Sequence, residues 1–208
     1  MDIIYLYKGL IIGFSIAAPV GPIGILCIRR TLSLGRWVGL ISGMGAATAD
    51  AIYGCIAAFG LTFISNFLIY QQIWLRLIGG CFLCYLGIKI FFSKPVDSSD
   101  QTSSLSLLNA YGSTFFLTLT NPLTILSFAA IFAGLGLGEA SGDYLSATIT
   151  VLGVFLGSAC WWILLSTGVS VLRVRFKPAG FQWLNWISGS IIFGFGIIAL
   201  IGALSMLR

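Results

Sequence analysis

Trp37 to Ile64 reads WVGLISGMGAATADAIYGCIAAFGLTFI, twenty-eight residues that hold one charged side chain, Asp50. A helix crosses a bilayer with about 20 apolar residues, so this stretch is long enough to span one. Outward from it the pattern repeats. Apolar runs extend from Tyr5 to Ile28, stopping at Arg29 and Arg30, and from Ile73 to Phe92. Others cover Tyr111 to about Leu137, Tyr144 to about Leu172 and about Trp183 to Leu207. Together these predict an all-α integral membrane protein of six transmembrane helices. Only 8% of residues are charged and mean hydropathy is +1.04. A soluble surface needs about 25% charged residues.

Composition also removes chemistries. With no histidine, Ser-His-Asp and Cys-His catalysis and His-ligated metal sites are excluded. Six acidic residues leave little for acid/base work, so no enzyme activity and no cofactor are expected.

Lys8 ahead of an apolar run containing small residues is also the pattern of a secretory signal. The run exceeds the usual apolar region of about 7 to 15 residues and ends in two arginines, which favours a retained first span. Orientation follows from the basic residues, which collect on the cytoplasmic side. The odd connections hold Arg29, Arg30, Arg36, Lys89, Lys94, Arg173, Arg175 and Lys177, whereas the opposite face holds Lys8, Arg76 and Arg208. Both termini are therefore expected outside, with the loops near 29–36, 93–110 and 173–180 cytoplasmic. The net charge of +5 is a topology signal, and no nucleic-acid partner is expected of loops this short.

The Ser-, Thr- and Asp-rich segment 93–110 reads as a flexible linker near the midpoint. It separates 1–92 from 111–208, and the two halves match. At an offset of 103, Gly9 falls on Gly112, Pro19 on Pro122 and Gly35 on Gly138. At 109, Trp74, Leu75, Ile78, Gly80 and Gly87 fall on Trp183, Leu184, Ile187, Gly189 and Gly196. At 114, Gly39 and Gly43 fall on Gly153 and Gly157, and Asp50 falls on Leu164. Three spans per repeat force the second half to insert upside down, a 3+3 inverted-topology arrangement common in secondary transporters.

Such transporters bind near the midplane, where broken helices meet. The first span carries Pro19-Val20-Gly21-Pro22 and the fourth Asn121-Pro122. Proline removes a backbone donor and glycine admits unusual backbone angles, so helices one and four are predicted to break. Pro22 lies roughly 10 Å along a helix from Arg29 at 1.5 Å per residue, inside the hydrocarbon layer.

Asp50 sits well inside the second span, roughly 20 Å from its cytoplasmic end at 1.5 Å per residue. A charge there costs about 3 kcal/mol even on lenient scales and by default marks a pathway or site. Gly39, Gly43, Ala47, Asp50 and Gly54 share one small-residue face that points into the bundle. Three roles stay open for Asp50: a hydrogen bond between helices, a protonation switch, and a ligand for a substrate ammonium. Tyr53 and the pair Trp161-Trp162 suit pocket lining or packing. Thr118, Thr120, Thr124 and Ser127 either meet a substrate or bond back to their own helix. The five cysteines all lie in apolar spans; Cys81-x-x-Cys84 lacks the surroundings that activate a thiol. Gly35, Gly39 and Gly43 suit helix packing within one chain or between two, as in a homodimer.

With these residues in hand, the chain resembles the amino-acid exporter superfamily named after the lysine exporter, which includes threonine, homoserine and arginine exporters. The resemblance rests on Gly9 and Gly13 followed by Ala18-Pro19-Val20-Gly21-Pro22, on Asp50, on Asn121-Pro122 and on Trp161-Trp162. It covers nearly the whole chain. One departure follows Gly21-Pro22: many members carry a Gln-Asn or Asn-Asn pair there, and this chain has Ile23-Gly24.

The resemblance implies proton-coupled efflux of a small zwitterion, an amino acid, across a bacterial-type inner membrane. Helix N-termini at Gly21-Pro22 and Pro122 would face the substrate carboxylate. Asp50 would take either the substrate ammonium or a proton. Divalent-cation export is the alternative within transport, and it wants several oxygen ligands where one intramembrane carboxylate stands. A membrane redox carrier through Cys81 and Cys84, or a scaffold that moves no solute, is the alternative of another class.

Overall fold

The computed structural model describes residues 2–19, 21–59, 70–93, 106–134, 144–173 and 178–206. Within them the chain is helical: α1 (Asp2–Ala17), α2 (Pro22–Leu34), α3 (Arg36–Ala58), α4 (Gln72–Phe91), α5 (Leu107–Leu119), α6 (Pro122–Gly134), α7 (Tyr144–Arg173) and α8 (Pro178–Ser205). Helices α3, α4, α7 and the stretch Gln182–Ser205 of α8 are each long and apolar enough to cross a membrane. Helices α1 and α2 meet that test together as a pair bent by 80°. The chain is a multi-pass membrane protein. Of the sequence expectations, Val20, the interior of the linker, the acidic loop at Glu139 and Asp143, and Lys94, Arg175, Lys177 and Arg208 lie outside the described residues.

Both predicted breaks are present. Pro22 opens α2 and Pro122 opens α6, each at a helix's first turn, where a missing N–H costs nothing. Pro22 and Pro122 thus hold the same place in their helices, and Pro19 lies ahead of α2. The first span also differs from expectation at its end. Arg29 and Arg30 are not a loop; both lie within α2, which runs on to Leu34. The chain then turns at Gly35, whose φ of 103° suits glycine, and starts α3.

Arg30 is 4% exposed and is satisfied by oxygen atoms from two other helices. Its Nη1 donates to Ser42 Oγ (2.9 Å), the Ala110 carbonyl (2.9 Å) and Thr114 Oγ1 (2.8 Å), and its Nη2 to Ser113 Oγ (2.7 Å). Arg29 reaches the other way, to Asn185 Oδ1 on α8 and Ser93 Oγ just past α4, each at 2.9 Å. These two side chains tie α2 to four helices at one end of the bundle.

Close helix contacts rely on missing side chains. A Cβ at Gly9 would strike the Thr150 carbonyl and Gly153 of α7, and one at Gly157 would strike the Leu10 carbonyl and Phe14 of α1. In the α3–α5 contact, a Cβ at Gly45 would strike the Tyr111 carbonyl and Phe115. Helices α4 and α8 meet through Gly80 against Gly196 and Leu200, and through Gly87 against Phe193 and Gly189. The outer surface is apolar, with Ile78, Ile88, Leu152, Leu164, Ile187 and Ile198 all exposed. Ser42, Thr114, Ser158 and Ser166 are buried instead, the distribution of a protein whose solvent is hydrocarbon.

Candidate functional site

The two breaks converge on a cavity of about 330 Å³, at the small end of the range for ligand pockets, about 300–1,000 Å³. Pro19, Gly21 and Pro22 form one wall and Asn121 with Thr124 another. Asp50 enters from the middle of α3, and Trp162 of α7 and Phe195 of α8 close the remaining sides. No Lys or Arg lines it among the described residues.

Asp50 is 3% exposed, and its Oδ2 accepts a 2.7 Å hydrogen bond from Ser158 Oγ of α7. No other hydrogen bond to the carboxyl is present among the described residues. The approach of α7 that brings Ser158 here depends on Gly43, where a Cβ would collide with the Trp162 side chain.

The two broken ends differ. Gly21 precedes α2 with no side chain to cap it, so the amides of Ile23 and Gly24 begin that helix beside the cavity. At α6 Asn121 does the capping: its Oδ1 accepts from the Leu123 amide (3.2 Å) while its Nδ2 donates to Thr124 Oγ1 (3.0 Å). An uncapped helix N-terminus is the place where an anion is favoured, and here that is α2.

Of the residues singled out from sequence, Asp50, Pro19, Gly21, Pro22 and Asn121 share the cavity. Pro122 lines a second one of about 260 Å³, whose lining shares Pro22, Asn121, Leu123 and Phe195 with the first. Two aromatics are placed elsewhere. Tyr53 is buried in a cluster with Ile12, Ile125, Phe128 and Val154, and its hydroxyl donates to the Leu119 carbonyl at the end of α5. Trp161 packs edge-on against Phe14 of α1 at 5.4 Å. Its neighbour Trp162 is the cavity residue, buried, with an indole N–H that has no hydrogen-bond partner among the described residues. Thr118, Thr124 and Ser127 line the cavity and Thr120 the second one. Thr118 also bonds back to the Thr114 carbonyl. Ser158 and Arg30 carry no motif in the sequence. The thiols of Cys81 and Cys84 line neither cavity.

A family model for the LysE type translocator matches residues 14–203. The chain belongs to the LysE type translocator family. Among its LysE type relatives, the putative amino acid efflux protein YcgF of Bacillus subtilis (strain 168) is 29% identical over 206 residues, covering 93% of this chain and 97% of that protein. The uncharacterized membrane protein YahN of Escherichia coli (strain K12) is 29% identical over 183 residues, 83% of this chain and 77% of its own. The threonine efflux protein of Salmonella typhimurium is 23% identical over 197 residues, 87% of this chain and 90% of its own. No solved structure is significantly similar. A LysE type translocator is a transporter and not an enzyme.

Proposed function

We propose that this translocator exports a small zwitterion, an amino acid, across a bacterial-type inner membrane by proton antiport. The observation that carries the reading is that Asp50 and the uncapped N-terminus of α2 face one cavity. A carboxylate suits an ammonium group, and helix amides suit a carboxylate. Relatives described as amino acid and threonine efflux proteins support the solute class. Asp50 holds either the substrate ammonium or a proton. Proton uptake from outside neutralises it and releases the amine, and loss of that proton to the cytoplasm restores it.

The architecture proposed for this exchange is a 3+3 inverted repeat of six spans, with α1–α2 and α5–α6 each one broken span, and 94–105 in the linker between halves. Contacts between α4 and α8 support it. At the 109 offset Gly80 corresponds to Gly189 and Gly87 to Gly196, and Gly80 lies against Gly196 while Gly189 lies against Gly87. The same exchange relates Gly80–Leu200 to Gly189–Phe91, and Gly87–Phe193 to Gly196–Cys84. Pairs that swap partners in this way are what a two-fold axis produces. Gly157 on Leu10 and Phe14, matched by Gly45 on Tyr111 and Phe115, supports an offset of 112 for α3 and α7. Under that offset Asp50 is matched with Trp162, in the cavity, where an offset of 114 matches it with Leu164, which is 55% exposed. The basic residues support cytoplasmic odd connections and both termini outside. Arg29 bonding to Ser93 and Asn185 gathers the end of α4 and the early part of α8 at the same side.

The test is efflux from proteoliposomes loaded with a mixture of labelled amino acids under an imposed proton gradient. At least one amino acid should leave faster with the gradient than without it, and Asp50→Asn should abolish that dependence. Unchanged gradient-driven efflux in Asp50→Asn would sink the mechanism.

A further inference from the structure

The second cavity is lined by a cation. Arg76, one turn into α4 and partly exposed, borders it, and its buried Nε has no hydrogen-bond partner among the described residues. The guanidinium lies against Gly202 of α8, where a Cβ would collide with Nη1. No carboxylate lines the cavity among the described residues; Thr120 and Asn121 supply its polar side chains, and the remaining lining is apolar or proline and glycine. A guanidinium in a membrane span is costly unless something answers its charge, and its planar fork of N–H groups matches a carboxylate. Pro22, Asn121, Leu123 and Phe195 belong to both cavities, so the two helix breaks form the partition between Asp50 and Arg76.

We propose that the Arg76 cavity is a second binding station, for the carboxylate group of the exported solute, on the other side of the partition from Asp50. This rests on the reading of the protein as a zwitterion exporter and adds an order to it. The ammonium is held first at Asp50. As the partition at Pro22 and Asn121 moves, the carboxylate passes to Arg76, at the end of the bundle opposite the Arg29–Ser93 contact.

Pentanoate, a carboxylate without an ammonium group, tests the station independently of transport. Saturation-transfer NMR on the full-length protein in maltoside micelles should show pentanoate bound by the wild type and at least as well by Asp50→Asn. Arg76→Gln should weaken it by at least about tenfold, as expected for loss of a charge-assisted pair. Arg76→Lys should recover part of the binding. Gly202→Leu, which displaces the guanidinium while keeping its charge, should weaken it as Arg76→Gln does. Equal binding by Arg76→Gln and wild type overturns the proposal, and so does a wild type that binds no pentanoate. Binding in maltoside that vanishes in phosphatidylglycerol nanodiscs assigns Arg76 to a lipid phosphate and overturns it too. Arg76-dependent pentanoate binding in a protein that exports no amino acid would remove the exporter reading alone. Normal efflux without such binding would remove only the second station.

Discussion

Ser158 Oγ donates a 2.7 Å hydrogen bond to Asp50 Oδ2 and thereby joins α7 to α3 at the buried carboxyl. The bond gives Asp50 a structural role beside the transport role proposed for it, and the two are separable. Asparagine keeps an oxygen that accepts from Ser158 but cannot exchange a proton, so Asp50→Asn is expected to unfold within about 1 kcal/mol of wild type while losing gradient-driven efflux. Ser158→Ala leaves the carboxyl without its donor and should cut efflux by about tenfold, the value of one hydrogen bond to a charged group. Thermal unfolding in detergent and proteoliposome efflux read the two effects side by side.

Gly9 and Gly157 sit where the backbones of α1 and α7 touch, so even a methyl group must push the helices apart. Gly9→Ala and Gly157→Ala are each expected to cost about 1–3 kcal/mol. Gly112 and Gly194 have nothing within reach of an added Cβ. Alanine there should be neutral or stabilising by up to about 1 kcal/mol. Equal losses at all four positions in thermal denaturation would contradict the packing described.

Arg30 feeds four oxygen acceptors from one planar group, three at Nη1 and one at Nη2. Arg30→Gln should destabilise the fold by about 3 kcal/mol or more. Arg30→Lys should restore little of this, since an ammonium cannot reproduce the fork. Arg29, with two side-chain acceptors and partial exposure, should show a smaller loss on replacement by Gln. Unfolding midpoints of the three variants check the ranking.

Trp162 faces the cavity and Trp161 faces Phe14, so the adjacent tryptophans should respond differently. Trp162→Phe discards an indole N–H that has no partner among the described residues, and the folded state should lose less than about 1.5 kcal/mol. Trp162→Ala enlarges the cavity and should broaden the range of side chains exported, at a stability cost of about 3–5 kcal/mol. Trp161→Ala should forfeit the ring contact, about 0.5–1.5 kcal/mol, and leave selectivity as it was. Competition between large and small amino acids in efflux assays distinguishes the pair.

Much of this was readable in the sequence because single residues announce it. Proline followed by helix-forming residues marks Pro22 and Pro122 as helix starts, and one carboxylate on a glycine-lined face marks Asp50 as inward. Features set by rotation about a helix axis were harder. Adjacent residues stand about 100° apart, so the Trp161-Trp162 pair alone does not say which ring turns inward. The offset of 114 read from the glycines at 39, 43, 153 and 157 and the offset of 112 proposed from the helix contacts differ by two residues, which moves the counterpart of Asp50 between the exposed Leu164 and the buried Trp162. Arg30 was misread for another reason. Its acceptors at 42, 110, 113 and 114 belong to segments that meet it only after folding, and without them a double arginine after an apolar run looks like a loop.

The glycine contacts also bear on the order of synthesis. Helix α1 makes its main contact with α7, and α5 makes its main contact with α3, so the two halves of the chain are interleaved and do not stand side by side. The nascent amino-terminal helix must wait in the bilayer until residues 150–157 have left the ribosome before its docking partner exists. Cutting the gene at the linker would therefore yield two fragments that are partners and not modules: each is left incomplete alone, and together they retain every contact that holds the whole.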